Sequence, residues 1–259
     1  MKKIIKITIP ILLLIILISI AVYIYFLMFV DVSGGLPFSR NELSLLTQKA
    51  ENKNAKACWC LSAFYYDDDK LEQYWLRKSA EYGYSEAQYH LYSYLIHKSF
   101  GHEIEAVEWL KKAADKNNNF AQSELGALYR EGKIVKQDLR QSAFWYRKAA
   151  NAGLISAMLY LAKFLPEQYD NKSMIIEAYS WAVVAQLRSP SQSSYADEAR
   201  KRQEVIIKKA KTLGFDKDTI TRESKPIIEE MAKKITVYKF ETSDDLYIDC
   251  LKIIGRDRK

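Results

Sequence analysis

Residues 121–153, AQSELGALYREGKIVKQDLRQSAFWYRKAANAG, carry two apolar stripes separated by a short polar loop. Ala121, Leu125 and Tyr129 recur at i, i+4 and i+8, which places them on one helix face. A second stripe surrounds Trp145, with Ala143, Ala149 and Ala150. Gly132 permits the positive φ needed to leave the first helix, and Gly153 ends the second. Gly126 and the alanines allow the two helices to approach closely. The stretch predicts a helical hairpin, with helix A headed by Ala121 and helix B carrying Trp145 as a buried aromatic.

The same arrangement recurs on both sides. Trp75, Trp109, Trp145 and Trp181 follow one another at 34, 36 and 36 residues. Ala57, Ala87, Ala121 and Ala157 each precede a leucine by four: Leu61, Leu91, Leu125 and Leu161. From each Trp to the next Ala the distance is always 12, whereas from Ala to Trp it is 18, 22, 24 and 24. A fixed junction is expected where neighbouring repeats pack, and a variable one where a loop meets solvent. Counting back 12 residues from Ala57 reaches Leu45, inside an incomplete B helix. Ser39 and Glu42 form an S-x-x-E capping box at its start.

Residues 121–153 resemble a Sel1-like repeat, the α/α relative of the tetratricopeptide repeat. The likeness rests on Ala121, Leu125, Gly126, Tyr129, Gly132, Trp145, Tyr146 and Gly153. Ile134 departs from it, standing where the family commonly has a second loop glycine. Residues 57–86 lack the loop signature, and Pro166 stands where the fourth A helix should stop. The resemblance covers about residues 42–190 and implies an all-α solenoid. It also implies a non-enzymatic protein-interaction module; bacterial members include immunity proteins that neutralise secreted (type VI) phospholipase effectors. An envelope signalling or assembly adaptor is the alternative.

The chain begins with Lys2, Lys3 and Lys6, followed by ITIPILLLIILISIAVYIYFLMFV at 7–30, without a charge. At about 1.5 Å per residue such a helix spans a hydrocarbon core about 30 Å thick. A cleaved signal peptide has a shorter apolar region ending at a small-x-small site. Here the run ends in Tyr23, Tyr25, Phe26 and Phe29, so residues 7–30 are expected to remain as an anchor in the lipid bilayer. Three lysines before the run, against Arg40 alone soon after it, predict a cytoplasmic amino terminus. The repeat domain is then periplasmic or extracytoplasmic, on a single-pass inner (plasma) membrane protein. Without those lysines the net charge of +7 falls to +4, modest for a domain of this size and without the concentrated basic stripe of a nucleic-acid binder.

The expected organisation is an anchor at 1–30, a linker and capping helix at 31–56, about four repeats at 57–192, and a helical cap at 193–259. Within the last part, 195–213 reads as one long helix, covering the final repeat with Ala199, Val205, Ile206 and Leu213. A helix over 226–235, a short extended piece at 236–241, and a helix from Ser243 to Gly255 follow.

Chemistry is sparsely supplied. Cys58 and Cys60 point about 200° apart on one helix, so with Cys250 they read as ordinary thiols. His97, His102 and Glu103 lack zincin spacing, and Asp67, Asp68 and Asp69 read as a turn. Phosphate-loop, nucleophile-elbow and dinucleotide motifs are absent from the sequence. No cofactor, metal site or catalytic residue is expected.

What remains is a surface. If the Ala and Leu stripe of each A helix faces the core, the third, fourth, seventh and tenth positions face outward. These are Trp59, Cys60, Ala63 and Tyr66; Tyr89, His90, Ser93 and Ile96; Ser123, Glu124, Ala127 and Arg130; and Leu159, Tyr160, Lys163 and Pro166. Aromatic and arginine side chains anchor interfaces. Trp59, Tyr66, Tyr89, His90, Glu124, Arg130, Tyr160 and Lys163 are therefore the expected protein-binding residues. The competing expectation is that some of these pack between repeats.

Overall fold

The computed structural model describes residues 38–98, 101–235 and 243–255. The expected anchor at 7–30 and the extended piece at 236–241 lie outside the described residues. Among the described residues, no helix is long and apolar enough to cross a membrane. All regular structure described is helical: α1 Arg40–Glu51, α2 Ala55–Phe64, α3 Asp69–Glu81, α4 Ser85–Lys98, α5 Glu103–Asp115 and α6 Asn119–Glu131. Then come α7 Leu139–Asn151, α8 Ile155–Gln168, α9 Lys172–Arg188, α10 Ser194–Thr212, α11 Lys217–Lys234 and α12 Ser243–Ile253.

The constant 12-residue spacing has a backbone cause. Eight residues beyond Leu45, Trp75, Trp109 and Trp145, the chain turns left-handed at Lys53, Gly83, Asn117 and Gly153, with φ of 61°, 94°, 64° and 94°. Each such residue donates to the carbonyl three before it, and the next residue donates to the carbonyl five before itself. This satisfies carbonyls that a helix end would leave bare. Asn54 and Asn118 then cap α2 and α6, accepting from the amides of Ala57 and Ala121. The pattern stops at Ser189, eight after Trp181, where the backbone is extended.

The variable A-to-B loop is likewise built by backbone demands. Asp68 and Asp138 cap α3 and α7, each accepting two backbone amides. Gly132 has φ 71°, and a Cβ there would meet that of Gln137 at 2.7 Å. Gln137 in turn donates through Nε2 to the Arg130 carbonyl at 2.8 Å. The capping box at Ser39 and Glu42 is present at the start of α1.

The described chain forms two units, one of residues up to Ala87 together with those from Glu241 onward, the other spanning Gln88–Phe240. In the first unit, α1, α2 and α3 pack in sequence and α12 packs on α2 and α1. Its core comprises Phe38, Leu46, Leu61, Phe64, Cys60, Cys250 and Leu251, among others. Cys60 is not an ordinary thiol: it is bonded to Cys250, with Cα atoms 5.9 Å apart across 190 residues of sequence. Helical spacing correctly separated Cys60 from Cys58, but it carried no information about a helix arriving from the far end of the chain. Cys58 is a buried free thiol directed at the Ala50 carbonyl.

In the second unit, the consecutive helices α5 through α10 pack against one another, and α11 packs on α9. Tyr146, Met158, Leu161, Leu165, Ile175 and Trp181 are fully or almost fully buried within its core. The A-helix stripe is as expected, with Ala87, Leu91, Ala121, Leu125, Ala157 and Leu161 buried. The B-helix stripe is displaced by one residue. Leu46, Leu76, Leu110, Tyr146 and Ala182 are buried, whereas Leu45 is exposed and Trp75, Trp109 and Trp145 are only half-buried. Trp75, Trp109 and Trp145 flank the core, whereas Trp181 lies within it as expected; the Nε1 of Trp109 donates to Glu105 and that of Trp181 to Glu177.

Three further expectations shift. Helix α8 runs two residues beyond Pro166, because a proline in the last turn sacrifices one hydrogen bond without breaking the packed stripe. Helix α11 opens at the Asp216 cap rather than near Ser224, and Pro226 lies inside it. In α10, Ala199 and Ile206 are buried but Val205 is exposed, and Ala196 and Ala210 complete the contact.

Candidate surface for a protein partner

Small residues in the core determine what appears on the outward face of the second unit. Gly126 leaves room for the Tyr146 ring to cross α6, with the Cγ 3.1 Å from where a Cβ would stand. Tyr146 stacks on Tyr160 of α8, with ring centroids 5.0 Å apart and planes at 21°. The Arg130 guanidinium sits over the other ring of this pair, 5.1 Å from the Tyr160 centroid. Arg130 is also held by Glu131 at 3.1 Å. A planar cation over an aromatic ring is favourable and orients its donors.

A second cluster lies on α4 and α6. Tyr89 stacks with Phe120 at 6.0 Å and 24°, and its ring is 6.3 Å from that of Tyr92. The Tyr92 hydroxyl donates to Glu124 Oε1 at 3.0 Å. Burial, and then the Glu124 carboxylate beside it, hold the Tyr92 phenol well above its ordinary range. Tyr89 is raised for the same reasons.

Six of the expected surface residues thus belong to this unit. Tyr89, Glu124 and Arg130 are half-buried, while His90, Tyr160 and Lys163 are exposed. Trp59 and Tyr66 belong to the other unit, where Trp59 is half-buried with its ring 5.9 Å from Tyr84, and Tyr66 is exposed just past α2. Three outward assignments fail. Cys60 is in the disulfide, and Leu159 and Pro166 are buried. Leu159 turns inward because α10 packs on α8.

Between α8 and α10 lies a cleft of about 250 Å³, walled by Ser156, Tyr160 and Lys163 on one side and Tyr195, Glu198 and Arg202 on the other. Tyr195 and Arg202 were not anticipated, although a signal existed. Counting 12 from Trp181 gives Ser193, and the third and tenth positions from there are Tyr195 and Arg202. Among the described residues, no group of three or more His, Cys, Asp or Glu is placed to hold a metal ion. His97 and His102 are both exposed, and His102 pairs with Glu105 at 3.2 Å.

The family model of the Sel1 repeat matches residues 103–118 and 119–154. Two solved structures are similar to the chain. One is c5321, a protective antigen present in uropathogenic Escherichia coli strains and displaying an SLR fold, with a TM-score of 0.60 and 23% identity over 82% of this chain and 43% of that one. The chain therefore spans less than half the length of that protein. The other is a Sel1 repeat protein from Oxalobacter formigenes, 28% identical over 50% of this chain and 94% of its own, with a TM-score of 0.42. No curated protein matches the sequence. Among the described residues the architecture is all-α and shares the fold of c5321, with Sel1 repeats matched over residues 103–154.

Proposed function

We propose that the chain is a non-enzymatic module that binds a protein partner on the outward A-helix face of its second unit, tethered to the inner membrane by residues 7–30. The observation that carries this reading is two groups of partly exposed side chains, Tyr89 stacked on Phe120 and Arg130 lying over Tyr160. Rigid aromatic and arginine groups of this kind give large contact area at low entropic cost. An extracytoplasmic position is supported by Lys2, Lys3 and Lys6 ahead of the apolar run and by the buried Cys60–Cys250 bond, since disulfides persist in oxidising compartments.

A narrower reading, drawn from the repeat resemblance, is that the partner is a secreted phospholipase-type toxin that this chain neutralises. An adaptor in envelope signalling or assembly is the alternative. Co-expression with a lipase-like product of a neighbouring reading frame separates them: protection supports immunity, and its absence leaves the adaptor. The topology is tested by a carboxyl-terminal alkaline phosphatase fusion, expected to be active. An inactive phosphatase with a fluorescent cytoplasmic-type fusion overturns the orientation and the extracytoplasmic partner.

A further inference from the structure

The cleft between α8 and α10 is oversupplied with hydrogen-bond donors. Among the described residues, Lys163, on its rim, has no hydrogen bond or ion pair. Arg202 spends one guanidinium nitrogen on Glu198 at 2.5 Å, while its Nε is buried without an acceptor. Glu198, the acidic residue of the lining, pairs with Arg202. A buried donor left unpaired is destabilising, so a ligand that brings acceptors is favoured over one that brings cations.

We propose that this cleft receives an acidic segment of the protein partner, with a carboxylate facing Lys163 and Arg202 and an apolar or planar group lying against Tyr160 and Tyr195. The inference rests on the protein-binding reading of this face and narrows its chemistry. Tyr160 and Tyr195 are 39% and 48% exposed, so two ring surfaces stand open on either wall of a cleft too small for a folded domain. An extended chain meets both conditions. Its side chains alternate between the cleft and solvent, and its carboxylates complement the unmatched donors.

The test uses the full-length chain in mild detergent and a short fluorescein-labelled peptide of alternating Glu and Leu, followed by fluorescence anisotropy. Saturable binding is expected, weakened by salt. Lys163→Glu is expected to weaken it by about tenfold or more, as charge reversal at a contact does, whereas Lys111→Glu on the exposed side of α5 leaves it unchanged. The matching Gln–Leu peptide is expected to bind far less. Equal binding of the Gln–Leu peptide, or equal loss in both variants, overturns the acidic segment. Binding of a Lys–Leu peptide that is lost in Tyr160→Ala also overturns it while leaving the protein-binding face intact. Failure of every peptide overturns the acidic segment, while the face, which also carries Tyr89 and Phe120 outside the cleft, is still judged by co-expression with its partner. Capture by phosphatidylglycerol vesicles that is lost in Lys163→Glu reassigns the cleft to a lipid surface and overturns the proposal.

Discussion

The ring of Tyr146 lies across the backbone of α6 at Gly126, close enough that a Cβ there would stand 3.1 Å from its Cγ and 3.2 Å from both Cδ atoms. The ring is fully buried and stacked on Tyr160, which opposes its retreat. Gly126→Ala is therefore expected to destabilise the second unit by about 1–3 kcal/mol, the usual cost of overpacking, despite the better helix propensity of alanine. Urea unfolding of the variant measures this. An increase in stability shows that the ring has room to move.

The one-residue displacement of the B-helix stripe predicts an ordering of three variants. Tyr146→Ala is expected to cost about 3–5 kcal/mol, as deletion of a buried aromatic. Trp145→Ala, at a half-buried position under Lys148, is expected to cost less than half of that. Tyr146→Phe removes a buried hydroxyl that has no partner, so its stability is expected to equal or exceed that of the parent. Melting curves decide it, and a Trp145 variant as damaged as Tyr146→Ala refutes the assignment.

The left-handed turn that ends the first four B helices is occupied by glycine at Gly83 and Gly153 but by Lys53 and Asn117 in the other two. A β-carbon is disfavoured there, least so for asparagine. Lys53→Gly is expected to stabilise the first unit by roughly 1 kcal/mol, and Asn117→Gly to change the second by less. Gly153→Ala is expected to lower the melting temperature.

Because Cys60 and Cys250 are joined across 190 residues, their bond restricts the unfolded chain strongly. Replacing both by serine is expected to cost roughly 2–5 kcal/mol. Peptide mapping without reductant is expected to recover the Cys60 and Cys250 peptides as one species.

Cys58 offers a pH-dependent check on the same core. Burial pushes its thiol from 9.0 up to about 11. The folded chain thus holds this proton more tightly than the unfolded one. The associated stability is fully present below about pH 9 and is lost as pH rises toward about pH 11. At pH 8 the thiol is expected to resist iodoacetamide until the chain is unfolded. Rapid native labelling contradicts its burial beneath Ala50.

Much of the architecture was legible without coordinates because helical repeats write their packing into local spacing. Ala57, Ala87, Ala121 and Ala157 with their leucines located every A helix, and the constant 12-residue interval located every tight B-to-A turn. Each depends only on residues within a turn or two of one another, where backbone geometry is decisive. The same locality explains the misplaced tryptophans. A bulky residue announces its period but not which side of it is fully enclosed.

The sequence by itself determined a series of α/α hairpins, their caps, the charge-free run at 7–30 and the residue types that face outward. Tertiary structure alone decided what those outward residues meet. It joined Cys60 to Cys250, turned Leu159 and Pro166 inward, and brought Tyr160 and Lys163 opposite Tyr195 and Arg202. The division has a physical basis. Helices and turns are fixed by hydrogen bonds a few residues apart, whereas the disulfide and the cleft depend on how separate helices dock, a sum over many small packing contacts that no single spacing records.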